Sequence, residues 1–319
     1  MGQGSRAGGD VDTVSLALRR SILAASRSPR LARWMRRYGM RLGARRFVAG
    51  ETLDECVAVL HRLQQQGFKT NTTLLGEAVR DEDTVRQVAA EYLRVLDRIR
   101  QERLRTNLSV KLTQLGLVIS EDLARDTLTR LVARAAELGN FVRIDMEEST
   151  WVEPTLGIYR RLRAAGFDNV GVVLQAYLYR SEADLRALLP LRPNLRLVKG
   201  AYLEPPDVAF PRKADVDRNY IRLIELALTG EGYTAVATHD ERIIEHVIRF
   251  ARAHGIGTDR FEFQMLYGVR PQLQLDLVRR GFTVLVATPY GTDWYPYLMR
   301  RLAERPANVL FLLRNLLRR

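Results

Sequence analysis

From residue 69 onward, short apolar stretches of β-forming residues alternate with longer segments whose apolar positions recur at helical spacing. The stretches are KTNTTLL (69–75), NLSVKLTQL (107–115), FVRIDME (141–147), NVGVVLQAY (169–177), LRLVKGAY (195–202), YTAVATHD (233–240), FEFQML (261–266) and TVLVATPY (283–290). The last seven begin 22 to 38 residues apart, the length of a strand plus a returning helix, so consecutive strands are expected to run parallel. VGVVL and TVLVA are apolar without alternation, as strands covered on both faces are. Eight such units predict an α/β fold, a (βα)8 TIM-like barrel over residues 69–319. Ser120 and Asp240 stand where helix N-caps belong, with acids following them, and Gly139 and Gly255 where helices should end. Residues 1–68 then form an N-terminal helical arm packed on the barrel, and ANVLFLLRNLL (307–317) a closing helix.

Composition narrows the class. With 46% hydrophobic residues in 319, the chain can bury a large core, which excludes disorder as its main state. Its single cysteine, Cys56, cannot form an internal disulfide, and no apolar run reaches the ~20 residues that span a bilayer, so a reduced, cytoplasmic setting is expected. The net charge of +13 is concentrated: no acidic residue lies between Asp12 and Glu51, a window holding ten arginines from Arg19 to Arg46. Such an arm suits a solvated helical surface, anionic lipid headgroups, nucleic acid or an acidic partner, and it also has the look of an organellar transit peptide.

Candidate chemistry follows from the fold, because a barrel of this kind builds its active site at the C-terminal ends of its strands. Reading the run ends in order gives Lys111, then Asp145, Glu147 and Glu148, then Gln175, then Lys199 with Gly200, then Thr238, His239 and Asp240, with Glu262 and Gln264 on the seventh run and Tyr290 after the eighth. Singly, each reads as a solvated loop residue or a cap. Together on one rim they need partners or a polar ligand, since desolvated charges without either are strongly unfavourable. In YPYLMRRLAE (295–304), Tyr297, Arg300, Arg301 and Glu304 fall on one helical face, where paired guanidiniums can grip a carboxylate and Glu304 can hold one of them. A surface helix with an internal ion pair produces the same pattern. The dinucleotide fingerprint occurs only at GQGSRA (2–7) with no preceding strand, and no P-loop, HExxH or CxxC occurs. Metal-ligand spacing is lacking too, His239 with Asp240 and Asp145 being the one combination left open. Lys199 leaves a Schiff-base aldolase as a competing enzyme class, and the arginine arm a non-enzymatic lipid- or nucleic-acid-binding barrel.

KLTQLG (111–116), IDMEEST (144–150), LQAYLYR (174–180), RLVKGAYLEP (196–205), ATHDERII (237–244), FEFQMLYG (261–268) and YLMRRLAERPAN (297–308), taken in order, resemble the bacterial monofunctional proline dehydrogenase family. The resemblance spans nearly the whole chain. It implies a distorted (βα)8 barrel that holds FAD without a Rossmann motif, oxidises L-proline to Δ1-pyrroline-5-carboxylate and passes electrons to a membrane quinone, peripheral on the inner face of the cell membrane. It implies further that Lys111, Arg300 and Arg301 bind the substrate carboxylate, that Tyr297 lines the pocket, and that Asp145 stands near the reacting amine. Arg196 matches the family's arginine beside the reactive flavin nitrogen, and Met146, Gln175, Lys199, Gly200, Ala201, Thr238 and His239 match its FAD contacts.

One position departs from the family pattern. Where the family reads Tyr-x-Pro-Tyr-Gly, this chain reads Ala287-Thr288-Pro289-Tyr290-Gly291. A methyl group in place of a phenol enlarges the pocket, which predicts weak proline binding, a preference for hydroxyproline or another substituted proline, or Tyr290 swinging in to fill the space.

Overall fold

The computed structural model describes residues 43–76 and 78–304, together with residues 28, 33, 35, 39 and 40. Most of the arginine-rich arm, the side chain of Glu304 and the closing helix expected at 307–317 lie outside the described residues.

Each of the eight runs contains a strand: β1 (Lys69–Leu74), β2 (Thr106–Lys111), β3 (Val142–Asp145), β4 (Val170–Gln175), β5 (Asn194–Val198), β6 (Tyr233–Ala237), β7 (Phe261–Leu266) and β8 (Val284–Tyr290). All neighbours pair in parallel and β8 closes back onto β1, so the sheet has no free edge. Polar β1 holds its place through side chains as well as its ladders. Thr70 Oγ1 lies 2.6 Å from Thr106 Oγ1, Thr72 Oγ1 donates to the Thr288 carbonyl at 2.9 Å, and Asn71 Nδ2 donates to Ser109 Oγ.

Between the strands run α2 (Glu82–Gln101), α3 (Glu121–Glu137), α4 (Val152–Ala164), α5 (Ser181–Leu188), α6 (Lys213–Leu228), α7 (Glu241–Ala253) and α8 (Pro271–Arg279), preceded by α1 (Leu53–Gln65) and followed by α9 (Trp294–Glu304). The expected caps form: Ser120 Oγ accepts from the amides of Asp122 and Leu123, and Asp240 Oδ1 from that of Arg242. Gly139 and Gly255 each take φ +65°, the left-handed turn that ends a helix without a Cβ clash.

The hydrophobic core lies outside the barrel wall, where Leu108, Val110, Ile144, Val172, Leu197, Val236, Phe263 and Val286 meet the helices. At roughly 25 cal/mol per Å2 of apolar area removed from water, this ring is the main source of stability. The barrel's inside is polar instead. Arg143, Arg196, Glu262, Gln264 and Asn71 are all buried there, none more than 8% exposed. Arg143 spans from β3 to β5, donating to the Asn194 carbonyl at 2.6 Å, and this crossing needs Gly171, whose added Cβ would lie 2.4 Å from the guanidinium. Burial pulls that guanidinium down to about 9, although the Glu262 and Asp145 carboxylates oppose the shift.

The barrel departs from regularity at its closure. Helix α1 packs against β1 and β8, filling the outer position that a helix after β8 would ordinarily take. Helix α9 therefore leaves the ring. Its Trp294, Leu298 and Leu302 pack with Phe47 and Val48 of the segment before α1 and with Leu75 and Val269, which follow the C-terminal ends of β1 and β7. Trp294 is fixed further by its indole N–H, which donates to Glu51 at 2.8 Å. Among the described residues, no helix is long and apolar enough to cross a membrane.

Candidate active site

The arrangement at the C-terminal mouth centres on Arg196, which β5 points into the barrel. Its Nη1 donates to Asp145 Oδ1 on β3 at 2.6 Å, its Nε to Gln264 Oε1 on β7 at 2.5 Å, and its Nη2 to Ser109 Oγ on β2 at 3.4 Å. Three strands thus hold one guanidinium plane in position, and the ion pair with Asp145 compensates its burial. Gln264 passes the constraint down the same strand, since its Nε2 donates to Glu262 Oε1 at 2.6 Å. Glu262 and Gln264 stood among the strand-end residues of the sequence without an assigned role. Their alternation on a β-strand was the available signal, for residues two apart share a face.

Lys111 closes β2 directly opposite Asp145 in register, yet its ammonium has no partner among the described residues and is only partly exposed. Its loop is held by Glu147, a buried carboxylate that accepts from the Thr113 amide at 3.1 Å and from Thr113 Oγ1 at 2.5 Å. A half-buried, locally unpaired cation beside a fixed guanidinium makes a place for an anionic group.

Helix α9 brings its own cation to this end of the barrel. The Arg301 guanidinium lies over the Tyr297 ring, 5.3 Å from its centroid, as the four-residue spacing requires, and Arg300 is partly buried alongside. Tyr297 packs against the same apolar cluster as Leu266, the last residue of β7 and the register neighbour of Ala287. Ala287 is the one residue of β8 that is not buried. Tyr290 does not move in to cover it, contrary to one expectation from the sequence. It is 2% exposed on the helix side of the sheet, and its hydroxyl donates to Glu91 of α2 at 2.7 Å.

Around the other half of the mouth, the residues matched to cofactor contacts follow β3 to β6. Met146 is buried and its carbonyl accepts from Gln175 Nε2 at 3.5 Å, whereas Gln175 Oε1 is buried with no partner among the described residues. His239 Nε2 accepts from the Leu266 amide at 2.9 Å, so its Nδ1 carries any ring proton. Thr238 Oγ1 accepts from the Asp240 amide at 3.1 Å, which leaves its own hydrogen to donate. Gly200 turns at φ +117° against the Tyr177 ring, where an added Cβ would come within 2.3 Å, and Ala201 follows in the same loop.

Lys199 lies just past β5, not on it, and is ion-paired to Asp217 at 2.5 Å, with Asp240 at 3.8 Å. Burial tends to raise the Asp217 carboxyl, but the lysines Lys199 and Lys213 outweigh it and hold the group below the usual carboxylate range. An ion-paired ammonium held this way is not the free amine that a Schiff-base aldolase requires, so the aldolase reading of Lys199 has no support here.

A sequence model of the family described as "Proline dehydrogenase" matches residues 56–314. Proline dehydrogenase 1 of Bacillus subtilis is 44% identical over 302 residues, covering 95% of this chain and all of that protein. The proline dehydrogenase of Deinococcus radiodurans is 43% identical, covering 94% of this chain and 98% of its own length. Among solved structures, proline utilization A from Bdellovibrio bacteriovorus, crystallised after inactivation by N-propargylglycine, superposes with a TM-score of 0.80 at 24% identity. It covers 92% of this chain, which spans only 37% of that longer protein, and shares the fold. With a family match across most of its length and relatives of over 40% identity that it covers end to end, the chain belongs to the proline dehydrogenase family.

Proposed function

We propose that this chain oxidises L-proline to Δ1-pyrroline-5-carboxylate with bound FAD and hands the electrons to a membrane quinone. The observation that carries the reading is the three-strand grip on Arg196, a fixed positive charge, on the same rim as Lys111, a cation with no partner among the described residues.

The residues present fit a flavin. Gln175 Oε1 is a buried acceptor with no donor among the described residues, which is costly unless a ligand N–H completes it. Thr238, just past β6, has a hydroxyl hydrogen left to donate, with His239 next to it; Lys199, Gly200 and Ala201 after β5 lie between them and Gln175, and Met146 after β3 lies on its other side. When bound, FAD supplies the two-electron acceptor that the protein's own side chains lack. The side chains do the rest. Lys111, Arg300 and Arg301 bind the substrate carboxylate and so fix the ring carbon beside the nitrogen, while Tyr297 lines the pocket. Crowding by these cations favours the neutral amine, whose lone pair must be free for the carbon to be oxidised, with Asp145 beside it. Arg196 contributes charge where negative charge develops on the cofactor. For the acceptor, Ile119, Tyr179 and Leu203 are exposed apolar side chains on loops that follow β2, β4 and β5, and they give this rim a surface for an apolar quinone or a lipid face.

The test is an absorption spectrum of the purified protein followed by anaerobic titration with L-proline. Flavin bands that bleach with proline are expected. A colourless protein that reduces no dye with proline even after FAD is added would overturn the reading and favour a lipid- or nucleic-acid-binding barrel.

The opening at Ala287 favours a second substrate. A methyl group on an otherwise buried strand leaves room for a ring hydroxyl, so 4-hydroxyproline should compete better here than where a tyrosine fills the position. Ala287→Tyr is expected to raise the ratio of kcat/KM for proline over trans-4-hydroxy-L-proline by about tenfold, the ~1–3 kcal/mol of one shape contact in a pocket. Steady-state kinetics on both substrates measure it, and an unchanged ratio would remove Ala287 from the specificity argument.

A further inference from the structure

Beneath Arg196 the barrel interior continues as a chain of hydrogen bonds. Arg196 Nε can only donate, so the Gln264 group facing it must be the amide oxygen. That choice forces the other end of the amide, its NH2, toward Glu262, where it donates to Oε1 at 2.6 Å. Glu262 is 5% exposed, and its Oε2 accepts from the Tyr233 hydroxyl at 3.0 Å, with the Lys69 ammonium 3.9 Å away. Burial and the adjacent carboxylate push the Tyr233 phenol well above its ordinary range, so it stays a neutral donor. Every group in the row therefore has one sense of donation, and the sense is set by the carboxylate at its foot.

We propose that Glu262 is a positioning residue for the redox centre: by accepting from Gln264 it locks the amide oxygen toward Arg196 and so fixes the guanidinium against the flavin. This rests on the flavin reading above. An amide at position 262 could donate as well as accept. Gln264 would then be free to flip its NH2 toward the guanidinium, a donor against a donor, and Arg196 would lose one of its three holds.

The direction of the effect separates this role from simple electrostatics. Glu262→Gln removes a buried negative charge, and charge removal alone would stabilise reduced flavin and make its potential more positive. Loss of Arg196 alignment acts the other way. The expected result for Glu262→Gln holoenzyme is a flavin reduction potential more negative than wild type by about 30 mV, the equivalent of a tenfold loss of preference for the reduced state in a two-electron couple. Glu262→Asp keeps the charge and an acceptor toward Gln264, so its potential should stay within about 10 mV of wild type on the same scale. A potential that is unchanged or more positive in Glu262→Gln, or a shift in Glu262→Asp as large as that in Glu262→Gln, would overturn the proposal. Should Glu262→Gln fail to fold, Gln264→Leu decides: it takes the acceptor from Arg196 Nε and leaves the Glu262 charge in place, so the lock predicts a more negative potential, and an unchanged one would overturn the proposal. Wild-type protein that bleaches with proline while Glu262→Gln behaves like it would sink this inference and leave the flavin reading standing, whereas wild-type protein that takes up no flavin would sink that reading itself.

Discussion

Replacing Arg301 with methionine should raise the KM for proline about 10- to 150-fold while leaving flavin content at the wild-type level. The magnitude follows from the ~1.5–3 kcal/mol that a hydrogen bond to a charged group carries. Methionine keeps much of the apolar stem, so the change removes the charged group that lies over Tyr297 with limited loss of volume. Pyrrolidine, which has the ring and the amine but no carboxylate, supplies the control. Its oxidation, however slow, should be nearly insensitive to Arg301→Met, because the missing contact is one it never makes. The measurement is a pair of KM values on each substrate, with the ratio of flavin to protein absorbance as the check on cofactor binding. Equal losses for proline and pyrrolidine, or loss of flavin in parallel with activity, would mean that Arg301 supports the fold of α9 and does not grip the substrate.

What could be foreseen from the chain depended on how local its cause was. The strand runs, the caps at Ser120 and Asp240 and the left-handed glycines 139 and 255 rest on residues within a few positions of one another, and all appear where expected. The strand-end polar residues could be named because topology alone assigns them to one rim. The grip on Arg196 could not. Its partners Asp145, Gln264 and Ser109 lie 51, 68 and 87 residues away, and they meet only because the sheet closes. The polar interior was hidden for a related reason: in KTNTTLL or FEFQML the period-2 pattern says which residues share a face, but not that the shared face looks inward onto other charges. Tyr290 shows the same limit in reverse, because one residue of register turns it from the mouth to Glu91. The placement of α9 depends on α1 having taken the outer position between β1 and β8, a competition between segments some 230 residues apart that no local signal reports.

Arg196→Lys should cost roughly 100- to 1,000-fold in the rate of flavin reduction by proline, comparable to removing one preorganised donor from a site of developing charge. The substitution keeps the positive charge, so a role limited to net electrostatics predicts little change. The geometry predicts a large one. A guanidinium presents three nitrogens in a plane, and here each has its own acceptor on a different strand, Asp145 on β3, Gln264 on β7 and Ser109 on β2. A lysine ammonium is a single point on a flexible stem and cannot satisfy three acceptors that surround a plane. It would settle against Asp145, the strongest of them, and withdraw from the cofactor side, leaving the Gln264 oxygen without a donor in a buried position. Stopped-flow mixing of oxidised enzyme with proline under anaerobic conditions isolates this step from reoxidation by the acceptor. Proline affinity, read from the concentration dependence of the same traces, should change far less than the limiting rate, since the carboxylate contacts assigned to Lys111, Arg300 and Arg301 are untouched. A limiting rate within about threefold of wild type, less than 1 kcal/mol in barrier, would show that charge alone suffices at this position and that the three-strand grip serves the fold and not the chemistry.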